Sequence, residues 1–125
     1  MTVADRFMIT AILFALAGMV LGIWMGITGP EVLNYVPVHA HINLVGWASL
    51  FLVGLWYRGA PAAAGAALAR WHYYVAVVGA LLLVIGIVGA VMPNATLELV
   101  IIPGALLTLL AMIVFLIVVL RHRSA

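Results

Sequence analysis

The chain has 125 residues, of which 69% are hydrophobic and only 6% charged, with a formal net charge of +2. Soluble domains carry about 25% charged residues, so five arginines and three acidic residues are too few for a soluble surface. The composition predicts an integral membrane protein. The lack of cysteine excludes disulfides, thiolate metal sites, iron–sulfur clusters and covalent c-type haem attachment.

Four apolar segments are long enough to cross a bilayer as helices, which takes about 20 residues each. They cover residues 7–28, 36–57, 71–92 and 97–120. Gly29-Pro30 ends the first segment, Pro37 begins the second, and Pro93-Asn94 ends the third. Because the connecting loops are short, we predict a single all-α transmembrane domain over residues 1–125, built as a four-helix bundle.

The arginines predict how this bundle is oriented. The first and third loops contain the acidic residues Glu31 and Glu98 and no arginine. All the arginines lie near the N-terminus, in the second loop or near the C-terminus: Arg6, Arg58, Arg70, Arg121 and Arg123. By the positive-inside rule, we expect both termini on the cytoplasmic side of the membrane.

Small residues and one proline indicate special packing within two of the helices. Gly18, Gly22 and Gly26 recur at four-residue spacing on the first helix, a pattern that lets another helix or a flat ligand approach closely. Pro103 lies inside the fourth helix, where we expect it to kink the helix or loosen its first turns.

The main candidate site is the pair His39 and His41 near the start of the second helix. Imidazoles at membrane depth cost free energy unless they are coordinated or hydrogen-bonded. Residues two apart on an α-helix point about 200° away from each other, so this pair presents its rings to opposite surfaces. Asn43 and Gly46 lie on the His39 side, where Asn43 is expected to hydrogen-bond the ring and Gly46 to leave a flat slot.

Neither of the other histidines is predicted to complete this site. His72 begins the third helix at the opposite membrane face, on the order of 20 Å away along the helix axis. We expect His72 to be an interface histidine, with haem-propionate contact or proton relay as the alternative, and His122 to belong to a solvated basic tail. A cofactor at this depth would therefore join His39 of one copy to His41 of the next, which predicts an oligomer. The alternative is that both are interfacial histidines, hydrogen-bonded to water and backbone near the lipid headgroups.

Two stretches carry a resemblance to a known family: HAHINLVGW at residues 39–47 and LWYR at residues 55–58. They resemble small four-helix bacterial membrane proteins related to the catalytic subunit of the haem–copper oxidases. The resemblance implies a homotrimer with one four-helix arc per chain, similar to the twelve-helix oxidase core, in a bacterial inner membrane. It also implies that His39 and His41 ligate two different haems from opposite faces. The adjacent copper-site histidines of the oxidases have no counterpart here, so the resemblance does not extend to oxygen reduction.

Three functions remain open from the sequence. The first is a haem b protein whose bis-histidine iron is shared between subunits and transfers electrons. The second is a copper- or zinc-binding module, since imidazole suits both ions, and the third is a non-catalytic assembly partner of a respiratory complex. The expected partners are other copies of the chain, lipid, and a quinol or another electron-transfer partner, with no nucleic acid. The candidate site residues are His39 and His41 as metal ligands, Asn43 and Gly46 as cofactor contacts, and His72 as a further candidate.

Overall fold

The protein is described by a computed structural model covering residues 1–123, which are helical throughout, with short turns and no β-strand. Four helical segments are long and apolar enough to span a membrane, which confirms the predicted all-α, four-helix, multi-pass architecture. The helices are α1 (Val3–Thr28), α2 (Pro30–Gly59), α3 (Pro61–Gly65), α4 (Ala67–Val91), α5 (Ala95–Glu98) and α6 (Ile101–His122).

α1 and α2 begin earlier than the apolar pattern indicates, and so does α4, at Ala67. α1 begins at Val3 because Thr2 and Asp5 form a capping box, in which the Thr2 hydroxyl accepts from the Asp5 amide at 3.1 Å. α2 begins at Pro30, directly after Gly29, whose φ of 87° allows the sharp turn out of α1. Polar caps and turns therefore extend α1 and α2 past their apolar segments.

The winding of α2 changes three times along its length. Residues Pro30–Tyr35 form a 3₁₀ turn, Val36–His41 are α-helical, Ile42–Ser49 form a π-helical segment, and Leu50–Gly59 return to α-helix. π-helical segments are rare and occur frequently at functional sites. Here the segment directly follows the histidine pair, and it includes Asn43 and Gly46.

Close backbone contacts join the helices. α1 packs along α2, and α4 packs along α6. A methyl group at Gly104 of α6 would overlap the backbone of Leu83 on α4, so the glycine sets how closely these helices approach. Pro103 lies in the first turn of α6, where its missing N–H removes no hydrogen bond of that helix. The fourth spanning segment is interrupted just before it, at Leu99 and Val100 between α5 and α6, which agrees with the predicted loosening of its first turns.

Charged side chains gather at the end of the bundle that holds the N-terminus. Arg58 at the end of α2 lies 3.5 Å from the Asp5 carboxylate at the start of α1. Arg70 lines the same cleft as Asp5 and Arg58, and Arg6 hydrogen-bonds the Tyr74 hydroxyl at 3.2 Å. We call this region the arginine end. The histidine pair lies near the opposite end of α2.

Candidate functional site

The His39 ring lies in the groove between α2 and α1. A methyl group at Gly22 of α1 would lie 2.9 Å from Cε1 of His39, closer than side-chain atoms normally approach. The ring is half-buried in this position. One of the three glycines that the sequence singles out therefore makes room for the candidate ligand, within a single chain.

Asn43 contacts His39, as its spacing predicts, but mainly through the backbone. Its Nδ2 donates to the carbonyl oxygen of His39 at 2.8 Å. The same nitrogen lies 3.4 Å from both Nδ1 and Nε2 of the ring, so it sits over the ring and points at neither nitrogen in particular. A methyl group at Gly18 would lie 2.8 Å from the Asn43 amide oxygen. Gly18 therefore makes room for Asn43, in the same way as Gly22 makes room for His39.

His41 is oriented by its own helix. Its Nδ1 lies 2.8 Å from the carbonyl oxygen of Pro37. A carbonyl oxygen can only accept, so Nδ1 carries the proton and donates, and Nε2 of the neutral ring keeps its lone pair. Metal-binding imidazoles in proteins usually have this arrangement, with one nitrogen donating to a backbone carbonyl and the other on the metal.

The slot that the sequence predicts beside Gly46 is filled in this chain. Phe14 of α1 lies directly against Gly46, and a methyl group at position 46 would overlap the phenyl ring. Gly46 thus allows α1 and α2 to pack closely. A cofactor that uses the same slot requires Phe14 to move.

His72 lies inside the bundle, at only 2% exposure, whereas the sequence favours an interface position. Its Nδ1 is 2.9 Å from the hydroxyl of Tyr57 on α2. The ring stacks on Phe115 of α6, with centroids 5.4 Å apart and planes at 19°, and Phe7 of α1 lies 5.1 Å away. α4 begins at Ala67, four residues before the apolar segment predicted from residue 71, so His72 stands in the second turn.

A small cavity adjoins His72 and was not predicted from the sequence. It has a volume of about 70 Å³ and lies between α2, α4 and α6. The polar side chains in its wall are His72, Ser49 at the end of the π-helical segment, and Thr108 of α6. The remaining wall is apolar: Val45, Leu50, Val53, Ala76, Ala111 and Met112.

The histidine pair and His72 occupy different depths in the bundle. His39 contacts α1 at Gly22 and His72 contacts α1 at Phe7, positions separated by about 22 Å at the rise of an α-helix. Within residues 1–123, no three His, Cys, Asp or Glu side chains lie close enough together to hold one metal ion.

No protein family, curated protein or solved structure matches this chain.

Proposed function

We propose that this protein is a haem b-binding membrane protein in which His39 of one subunit and His41 of the next ligate the same iron. The observation that carries the proposal is the Nδ1–H···O bond from His41 to Pro37, which leaves Nε2 free as a metal ligand. A haem held by His39 and His41 would supply one-electron transfer, since both ligand positions of its iron would be taken by imidazoles.

The chemistry of the donor set fits a haem whose two ligands come from different chains. An imidazole is a common axial ligand of haem iron, and each chain offers two at the same end of α2. The rings of His39 and His41 start from positions about 200° apart on the α-helical turn. Each chain can thus serve two irons, one on each side, with Asn43 beside His39 as its hydrogen-bonding neighbour.

When copies of the chain assemble around a symmetry axis, His39 of each copy can meet His41 of the next, and the shared sites close into a ring. We propose a homotrimer, because the resemblance in residues 39–47 implies three four-helix arcs. We also propose that the arginine end faces the cytoplasm of a bacterial inner membrane. The contacts of Arg6, Arg58 and Arg70 at that end of the bundle support this orientation.

Absorption spectra of the purified protein, expressed with ample haem, test the proposal. We expect a Soret band and the spectrum of low-spin, six-coordinate haem, in both the oxidised and the reduced protein. His39→Ala and His41→Ala should each lose the low-spin signal at every site. His122→Ala is the matched control, since this ring bonds the carbonyl of Val118 at 3.0 Å at the arginine end.

The other candidate functions give different results in the same preparation. A stoichiometric copper or zinc ion that is present in haem-free protein and lost in His39→Ala would indicate a metal site shared between chains, in place of a haem site. Absence of any cofactor, together with unchanged thermal stability of the double His39/His41→Ala variant, would leave only an assembly role.

A further inference from the structure

The cleft at the arginine end has two guanidinium groups in its wall. It has a volume of about 470 Å³ and lies where the starts of α1 and α4 meet the end of α2 and the short helix α3. Arg58 comes from the last turn of α2 and Arg70 from the first turn of α4. The volume falls within the range of about 300–1,000 Å³ that is usual for small-molecule sites.

Asp5 is the acidic side chain of this cleft, and the capping box of α1 already uses it. One carboxylate oxygen accepts from the Thr2 amide at 3.0 Å and from the Thr2 hydroxyl at 2.7 Å. The other oxygen lies 3.5 Å from Arg58, further than the roughly 2.7–2.9 Å of a charge-assisted hydrogen bond. Because the Arg58 side chain is also 61% exposed, its guanidinium keeps donors for another partner.

Arg70 brings a second positive charge to the cleft, and no acidic group pairs with it in the part of the chain that the structure describes. Its side chain is exposed, and within residues 1–123 it forms neither a salt bridge nor a side-chain hydrogen bond. The cleft wall thus carries two positive groups and one negative group that is already bonded. A phosphate matches this wall, because arginine binds phosphate oxygens through parallel N–H···O bonds.

Exposed aromatic side chains indicate that the cleft lies at the level of the lipid headgroups. Trp71, next to Arg70, is 69% exposed, and Tyr74, one turn further along α4, is 51% exposed. Tryptophan and tyrosine are enriched at the membrane–water interface. Ile9, one turn along α1 from Asp5 and on the same face, is 48% exposed and begins an apolar surface beside the cleft. A phosphate in the cleft can therefore belong to a lipid whose acyl chains follow the helices.

We propose that this cleft binds the headgroup of an anionic phospholipid, with the phosphate between Arg58 and Arg70 and the acyl chains along the exposed apolar surfaces of α1 and α4. The cleft has no free carboxylate for the ammonium group of a zwitterionic lipid, since the oxygens of Asp5 face Thr2 and Arg58. The site therefore favours phosphatidylglycerol over phosphatidylcholine. Basic pockets between spanning helices bind anionic headgroups in this way.

Native mass spectrometry of the full chain in detergent, titrated with phosphatidylglycerol or with phosphatidylcholine, tests the proposal. We expect one phosphatidylglycerol per chain, bound at least about fivefold more tightly than phosphatidylcholine. The double variant Arg58→Gln/Arg70→Gln should lose this preference. The double variant Arg121→Gln/Arg123→Gln is the matched control, because it removes the same charge from the C-terminal end of α6, outside this cleft. The control should keep the preference.

Arg70→Gln alone decides the matter if the double variant does not fold, because Arg70 has no salt bridge or side-chain hydrogen bond to lose within residues 1–123. We expect it to bind phosphatidylglycerol about fivefold more weakly than the wild type. Inorganic phosphate added to the same mixtures separates a lipid site from a site for a free anion, and we expect the lipid to stay bound.

Several results would overturn the proposal: equal binding of the two lipids by the wild type, equal losses in the cleft variant and the C-terminal variant, unchanged binding in Arg70→Gln, or displacement of the lipid by phosphate. The site uses neither His39 nor His41, so this proposal and the haem proposal can fail separately.

Discussion

Gly22 of α1 lies directly against the ring of His39, and a methyl group at position 22 would come within 2.9 Å of Cε1. The atom that it meets is the free end of a side chain, so the ring can turn away at little cost in stability. The position of His39 therefore depends on a residue of another helix.

This contact predicts that Gly22→Ala separates haem binding from stability. We expect the free energy of unfolding of the variant to lie within about 1 kcal/mol of the wild-type value, since the end of a side chain can move aside. Its low-spin haem signal should fall, because the His39 ring has moved. Thermal unfolding and the absorption spectrum of the same sample measure both effects. Gly26→Ala is the control, because nothing lies within 4 Å of the added methyl group. Equal haem signals in the two variants would contradict the prediction.

Tyr57→Phe is expected to destabilise the protein, since it leaves Nδ1 of the buried His72 without its partner. An unsatisfied buried polar group costs about 1–3 kcal/mol. The matched control is Tyr74→Phe, because Tyr74 is 51% exposed and its hydroxyl bonds the side chain of Arg6 at the surface. The control should change stability by no more than about 0.5 kcal/mol. Denaturation of both variants in the same detergent provides the comparison, and equal stabilities would show that the Tyr57–His72 bond contributes nothing.

The proposed orientation can be tested by labelling, because the chain contains no cysteine of its own. Glu31→Cys and Gly59→Cys place single thiols at opposite ends of α2, both at exposed positions. We expect a membrane-impermeant maleimide to label Glu31→Cys in intact bacterial cells, and to label Gly59→Cys only after lysis. The reverse pattern would place the arginine end outside.

The four spanning helices could be predicted because length and apolar composition are properties of each segment alone. The start of α1 was missed since it depends on the polar capping box of Thr2 and Asp5, upstream of the apolar run. The π-helical segment had no signal in the sequence, because a periodicity of 3.6 residues assumes uniform winding. It changes which residues share a face after His41.

The candidate site was predictable to the extent that it depends on neighbouring residues in the chain. The contact of Asn43 with His39 follows from their spacing of four residues. The interior position of His72 does not, because the rings around it come from Phe7 and Phe115, on the first and last helices. Whether the slot beside Gly46 is empty likewise depends on Phe14, a residue of another helix that no local sequence pattern places there.

The most direct test of a haem shared between subunits is co-expression of His39→Ala and His41→Ala chains, followed by the reduced absorption spectrum of the purified mixture. Each variant alone lacks one ligand at every site. In a closed trimer, every mixed assembly restores one site in which His39 of one chain meets His41 of the next. With equal expression and random assembly, the mixture should regain about a quarter of the wild-type low-spin haem. A mixture that regains none, or a single variant that keeps its low-spin haem, would contradict the account.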